Sequence, residues 1–455
     1  MEGTERKQLS EIVEKLIRME IRGVSIDSRT IHEHELFVAI KGDRFDGHDF
    51  VPEVMRRGAW GAVVARSALE NNYAHLAGMQ NILPVDDTLH ALQEMAYLHR
   101  RKYTIPFAGI TGSNGKTTTK EMLAGILSQK GPVLKNEGNL NNHIGVPLTL
   151  LKLKPEHRAA VVEMGMSGAG EIALLARLAG PDVGVITNIG PAHLEFFQSM
   201  DLVAQAKGEL LDHLSADGTA VLNADDRYFD TLKKKFNGRV LSFGIDNNAD
   251  VRALDIRQER DFTAFTIASN GSRAPVRLRT VGRHNIANAL AAAAAAFALG
   301  MSFDAVKEGL NGFVPLAMRS ELRQIRGRTV FADCYNANPA SMDAALTTLA
   351  SLKSGGKAVA VLGDMLELGP LGIEAHRAVG ATAARLGVDL LITLGPLAKY
   401  FGEGAIHAGM PGERVLEAAS QAEAAALLNK RTQPGDAVLI KGSRGMKMEK
   451  ILEEF

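Results

Sequence analysis

A chain of 455 residues is too long for one hydrophobic core, and at roughly 100–200 residues per domain it divides into two to four. Its 52 basic residues balance 52 acidic ones, so net charge gives no reason to expect a nucleic-acid or anionic-membrane partner. Cys334 is the only cysteine, which excludes an intrachain disulfide and a cysteine metal cluster and fits a reducing compartment. The opening residues, MEGTERKQLS, hold no apolar stretch of signal-peptide length, and the longest apolar run, 290–299, is mostly alanine and too short to span a bilayer. The expectation is a cytoplasmic, monomeric protein with no membrane segment.

Three stretches differ in texture. The first, 1–103, opens with an amphipathic helix pattern at 9–19, then strand-like pieces at 23–27 and 35–40 and a helix–strand pair at 51–58 and 61–65. It reads as a small α/β module. The second, 104–317, begins with the buried-strand run PFAGI, a glycine-rich turn and a helix. Strands follow at 159–163, 183–188 and 219–223, with a helix at 171–178. Period-two alternation over 250–280 predicts a small antiparallel excursion, and an alanine-rich helix at 286–299 closes the stretch. The third, 318–455, alternates strands (329–334, 358–362, 389–394, 437–441) with helices (341–352, 373–386, 419–429). That spacing implies parallel strands with crossover helices, a doubly wound Rossmann-like sheet. The 45 glycines suit the many tight strand–helix turns of such an α/β chain.

The strongest local signal is GITGSNGKTTTKEM, 109–122. A buried strand, then glycines, then Lys-Thr opening a helix is the architecture that cradles phosphates. Glycines let backbone N–H groups approach the oxygens, and the helix N-terminus adds positive potential. Lys116 would reach the terminal phosphates and Thr117 would hold Mg²⁺. The strict template GxxxxGK[ST] fails by one place, because its first glycine would fall at Ile110. The loop implies nucleotide triphosphate use and leaves ligase, kinase, GTPase and switch open.

Other residues carry weaker signals. Glu163 ends an apolar run, placing a carboxylate at the C-terminal end of a buried strand, where α/β sheets bind ligands; Asp333 ends another. Asn285 and Asn288 lie three apart near a helix start, which puts both amides on one face; ordinary N-capping is the alternative. Read alone, His193 is a polar surface or core histidine and Lys207 a solvated charge.

The loop TGSNGKTTT also matches the phosphate-loop variant of the Mur ligase family, and the resemblance extends over nearly the whole chain. It is carried by DSRTIHEHELFVAIKGDRFDGHDF (27–50), NLNNHIGVPLTLL (139–151), VVEMGMSGAGEI (161–172), VITNIGPAHLEFF (185–197), DCYNANPASM (333–342), VLGDMLELG (361–369) and KGSRGMKME (441–449). The resemblance implies three domains: a small α/β uridine-nucleotide domain, a central P-loop ATPase domain with a mostly parallel sheet, and the C-terminal Rossmann-like domain. It implies an ATP-dependent ligase in which the carboxylate of a UDP-linked peptide is phosphorylated and the acyl-phosphate is then attacked by an amine. Within the family these strings resemble the member that joins D-alanyl-D-alanine to UDP-N-acetylmuramoyl-tripeptide. The third-residue-adding sister usually has Thr-Thr-Pro where this chain has Asn141-Asn142-His143. Another Mur-type ligase, or a non-catalytic nucleotide-binding protein of wall assembly, remains an alternative.

Residue by residue, the resemblance assigns Gly112, Ser113, Asn114, Gly115, Lys116, Thr117 and Thr118 to ATP phosphates. Asn285, Asn288, Arg319, Asp333 and Asn336 go to the rest of the nucleotide. Thr117, Glu163, His193 and Lys207 go to two Mg²⁺ ions, with Lys207 carbamylated so that a cation becomes a carboxylate-like ligand. Lys116, Lys207 and His193 are the expected catalytic set. Ser28, Arg29, Asp46, Gly47 and His48 resemble the uridine-diphosphate site, with a structural Asp–Arg pair as the alternative at Arg29. Asn142, Lys441, Ser443 and Arg444 are assigned to the substrates. His34 departs from the family, where glycine is common, and implies a different turn.

Overall fold

A computed structural model describes residues 3–191, 197, 199–259 and 261–455. The chain divides into two compact units. One holds Met1–Gly109, Lys130–Asp182 and Asp212–Ala216; the other holds Ile110–Gln129, Val183–Leu211 and Asp217–Phe455. The phosphate-loop helix and the whole C-terminal sheet thus fall in one unit, and the central stretch of the sequence, 104–317, is divided between the two.

In the first unit the helix Gly3–Ile17 buries Leu9, Ile12, Val13 and Leu16, the i, i+3, i+4, i+7 stripe that makes a helix one-sided. Strands β1 (Gly23–Ser25), β2 (Glu35–Val38), β3 (Gly61–Ala65) and β4 (Ile82–Val85) pair in that order, all parallel. Phe37, Val51, Val54, Val64 and Leu76 pack around them. Residue 34, where the family favours glycine, sits at φ 65°, the left-handed region that a side chain enters only at a cost. The helix Thr88–Arg100, which the periodicity did not reveal, starts where the Asp87 carboxylate accepts from the N–H groups of Leu89 and His90. Strand β5 (Phe107–Thr111) runs from this unit into the next. Strands β6 (Val133–Lys135) and β7 (Ala159–Glu163) form a parallel pair, and every residue of β7 is buried.

In the second unit β8 (Val183–Ile186), β9 (Thr219–Asn223), β10 (Arg239–Gly244) and β11 (Val251–Gln258) run parallel. Strands β12 (Thr263–Ser269) and β13 (Ser272–Leu278) continue the sheet antiparallel, which is the expected excursion. The helix Arg283–Ala298 buries Ala289 and Ala291 through Ala296 without a gap. Side chains this small let the helix lie close to several elements at once.

The last sheet has the order β14 (Glu321–Ile325), β15 (Arg328–Ala332), β19 (Ala437–Lys441), β16 (Ala358–Gly363), β17 (Leu390–Leu394), β18 (Val415–Ala418). All its pairs are parallel except the β14–β15 hairpin, which the alternation of the sequence did not reveal. Both faces are covered, and the strands show how. Phe331, Ala360, Leu391 and Leu439 enter one apolar cluster; their neighbours Val330, Val361, Ile392 and Ile440 enter another. Successive side chains point to opposite faces, so a strand buried on both sides must be apolar throughout. Among the described residues no helix is long and apolar enough to cross a membrane.

The alanine packing is directly testable. Ala293→Leu adds three carbons where the side chain has no exposure, and overpacking should cost about 1–3 kcal/mol. The urea midpoint should fall accordingly. An unchanged midpoint would mean that the helix has slack around it.

Candidate functional site

The loop after β5 reverses the chain into the helix Lys116–Leu127. Gly112 has φ 144° and Gly115 φ 82°, values that side chains rarely adopt. Space forbids side chains as well: a Cβ on Gly112 would collide with Thr187 Oγ1, and one on Gly115 with Asn288 Oδ1. The segment following β8 clamps the loop. Ser113 N–H donates to the Asn188 carbonyl (2.9 Å) and Asn114 N–H to Asn188 Oδ1 (3.0 Å). Asn188 Nδ2 and Thr187 Oγ1 both donate to the Asn114 carbonyl, at 3.0 and 2.6 Å. Ser113 Oγ donates to the Gly190 carbonyl at 2.9 Å, and Gly190 N–H donates back to it at 2.8 Å.

Ser113 and Asn114 therefore spend their backbone donors on shape. The donors aimed at an anion are those of the helix's first turn, which have no intrahelical acceptor. Lys116 Nζ folds over the loop and donates to the Gly112 carbonyl at 2.8 Å. Thr117 is buried and Thr118 half-buried.

Lys207 lies on the helix Met200–Gly208 and is only 2% exposed. Burial, reinforced by the like charge of Lys116, holds its ammonium pKa well below the usual lysine value. A solvated charge is therefore the wrong description of Lys207. Burial favours the neutral amine more than it is favoured in an exposed lysine, and the neutral amine is the nucleophilic form. His193 lies outside the described residues.

Asn285 and Asn288 do not cap their helix as the alternative reading had it. Asn285 Nδ2 donates to the Val281 carbonyl (2.8 Å) and Thr280 Oγ1 (3.1 Å), and Asn288 Nδ2 donates to Asn285 Oδ1 (3.3 Å). Asn288 is thereby held against Gly115. Arg319 stacks on the Tyr335 ring, 3.7 Å from its centroid. Asp333 follows β15 and Lys441 ends the neighbouring strand β19, and the two meet at 2.5 Å between Lys441 Nζ and Asp333 Oδ2. Asn336 is exposed. Ser443 Oγ accepts from Leu366 N–H at 2.9 Å, and exposed Arg444 pairs with Glu449 at 2.8 Å.

In the first unit Glu163 ends β7, only 2% exposed, and two asparagines hold it. Asn136 receives the Glu163 N–H and donates to the Glu163 carbonyl, each at 2.9 Å. Asn141 Nδ2 donates to Glu163 Oε1 at 2.8 Å. Asn142, expected on the substrate side, is exposed, and its Oδ1 accepts from the Ile144 and Gly145 N–H groups, at 3.2 and 2.9 Å, just before the helix Gly145–Leu150. Arg29 makes a two-pronged pair with Asp27 (2.9 and 2.7 Å), which holds the Asp27 carboxyl down to about 2. The Ser28 carbonyl accepts from Arg57 Nη1 at 2.9 Å. His48 Nε2 accepts from Ala65 N–H (2.9 Å), so Nδ1 carries the proton and donates to Asp46 Oδ1 (2.6 Å). With both ring nitrogens engaged, His48 is a held core histidine that fixes Asp46. Gly47 lies against the Ile40 backbone, where a Cβ would come within 2.7 Å of its nitrogen.

Sequence reasoning missed Thr187, Asn188, Asn136 and Asn141, all of which act on other residues. Their only sequence signal was position, just past a strand end or within an asparagine run. Among the described residues no three His, Cys, Asp or Glu side chains converge on a metal-sized site. Of the described candidates, the Thr117 hydroxyl and the Glu163 carboxylate are hard oxygens, the chemistry that suits Mg²⁺, and Lys207 is an amine.

Family models match three consecutive segments: the Mur ligase family catalytic domain at 20–100, the Mur ligase middle domain at 110–296, and the Mur ligase glutamate ligase domain at 318–444. UDP-N-acetylmuramoyl-tripeptide–D-alanyl-D-alanine ligase of Bacillus subtilis is 38% identical over 436 residues, covering 96% of this chain and 93% of its own. The crystal structure of MurF from Acinetobacter baumannii superposes with a TM-score of 0.87 at 32% identity, covering 98% of each chain. MurF ligase from Thermotoga maritima in complex with ADP gives 0.83 at 30% identity, covering 95% of this chain and 96% of that one.

The loop geometry sets a measurable cost. Gly115→Ala should lose about 1–2 kcal/mol from the left-handed backbone alone, and more from the collision with Asn288. Chemical denaturation reads this; a variant as stable as the parent would mean that the turn can re-form with another φ.

Proposed function

The chain belongs to the Mur ligase family, and from that membership we propose that it joins D-alanyl-D-alanine to UDP-N-acetylmuramoyl-tripeptide at the expense of ATP, in peptidoglycan precursor synthesis. The observation that carries this reading is likeness over 96% of the chain to a ligase of that name, with the phosphate loop in its clamped form. The reaction balances simply. The γ-phosphoryl group passes to the peptide carboxylate, and ADP leaves. The dipeptide amine attacks the acyl carbon, loses a proton, and phosphate departs as the amide forms.

Each residue has a part in this reading. The first-turn N–H groups and Lys116 hold the phosphates and offset charge on the transferred phosphoryl. Asn285, Asn288, Arg319, Asp333 and Asn336 serve the nucleotide. Ser28, Arg29 and the Asp46–His48 turn serve the uridine diphosphate, with Arg29 swapping its exposed Asp27 partner for phosphate oxygens. Ser443 and Arg444 face the amine side. Thr117, Glu163, His193 and Lys207 are the proposed Mg²⁺ holders. Magnesium supplies the positive charge that lets a carboxylate and a triphosphate approach.

Lys207 must first change its chemistry. Its neutral amine adds to CO₂ and releases a proton, giving a carbamate whose oxygens suit a hard cation. The protein acts as a monomer in the cytoplasm, with domain boundaries near residues 103 and 317.

Phosphate release from ATP and UDP-tripeptide should depend on added D-alanyl-D-alanine; release indifferent to the dipeptide would overturn the reading. Lys116→Ala should lower amide formation by about 100-fold or more while leaving the thermal transition intact. Near-parental turnover would remove Lys116 from the phosphate site. Lys207→Ala should be inactive and partly restored by a short-chain carboxylic acid that fills the vacated space. A fully active alanine variant would rule out the carbamate.

A further inference from the structure

We propose that Lys441 is a positioning residue for the nucleotide, and that it does not contact the incoming dipeptide. This deepens the ligase reading and rests on it. A lysine ammonium has three donors. Here all three have protein acceptors: Asp333 Oδ2 at 2.5 Å, the Asn336 carbonyl at 3.0 Å and the Asp333 carbonyl at 3.3 Å. The side chain is 2% exposed, so no N–H is left for a ligand.

What Lys441 holds is the turn that follows β15. Asp333 is anchored twice, since its Oδ1 also accepts from the Ser320 N–H at 2.9 Å. A carboxylate offers about four lone-pair sites, so two remain for hydroxyl donors such as those of a ribose. Two residues beyond Asn336, Asn338 Nδ2 donates to Asn114 Oδ1 at 2.8 Å, and Asn338 Oδ1 caps the helix Pro339–Leu352. The turn 333–338 is thus pinned by Lys441 at one end and by the phosphate loop at the other. Each pin helps to place the Asp333 carboxylate relative to the Lys116 turn. The lysine can do this because β15 and β19 are parallel neighbours with Ala332 opposite Ile440. The next residue on each strand is therefore Asp333 and Lys441, side by side at the carboxyl edge of the sheet.

The test uses the full chain, with ADP binding measured by calorimetry and KM measured separately for ATP and D-alanyl-D-alanine. Lys441→Met should weaken ADP binding and raise the ATP KM by about 10- to 100-fold, the loss expected when hydrogen bonds to a charged group vanish, with the dipeptide KM within about twofold of the parent. Lys441→Arg, which keeps the charge, should recover part of the ADP affinity. A raised dipeptide KM with unchanged ADP affinity would overturn the proposal and return Lys441 to the amine side. If the methionine variant does not fold, Lys441→Arg decides by the same two readings: weakened ADP binding supports positioning, and a dipeptide effect alone refutes it. Dipeptide-dependent phosphate release by the parent protein tests the ligase reading separately, because ADP binding needs no amine.

Discussion

The reversal of the chain after β5, from buried strand to helix within four residues, places helix-turn donors where an anion can reach them. Such a turn is unfavourable in isolation: it needs two positive-φ residues and leaves backbone polar groups to be satisfied. Two glycines meet the first need. The second is met from outside the loop: Thr187 and Asn188, after β8, take up the N–H groups of Ser113 and Asn114 and the Asn114 C=O, and Gly190 holds the Ser113 hydroxyl. With those groups bonded internally, the outward donors are those of the helix start. Asn288 closes the space beside Gly115, so that glycine answers both to φ and to contact.

Parallel strands ending side by side explain much of the remaining chemistry. β15 and β19 bring Asp333 beside Lys441, and the segments after β16 and β19 are joined where Ser443 N–H donates to the Asp364 carbonyl at 3.0 Å. An ion pair at this depth gives little net stability, because desolvation offsets much of the attraction. Its value lies in geometry: a carboxylate held at 2.5 Å by a buried ammonium has few orientations left. Burial pushes the Asp333 carboxyl up, but the Lys441 charge and hydrogen bond outweigh it and keep the pKa below its ordinary value, which favours the ionised acceptor.

In the first unit one ligand candidate is already engaged by its own fold and another is held only by an exposed pair. His48 has the right chemistry for a phosphate or uracil contact, yet the Ala65 N–H and the Asp46 carboxylate take both its nitrogens. Arg29 keeps its guanidinium at the surface, where a single partner, Asp27, competes for it. An exposed pair of this kind is worth little, and a diphosphate could displace it.

Chemistry carried by consecutive residues was legible in the sequence. The phosphate loop depends on glycine, lysine and threonine within one turn, the antiparallel excursion on alternation along a strand, and the doubly wound sheet on fully apolar strands between helices. Tertiary structure decided which side chains meet across long separations. Asn188 reaches Asn114, Asn141 rather than its neighbour Asn142 reaches Glu163, and Lys441 pairs with Asp333. None of these pairings has a local period or propensity, because each depends on strand order and register. Strand order is fixed by how two apolar faces are buried at once, a property of the whole sheet that no short window of residues contains.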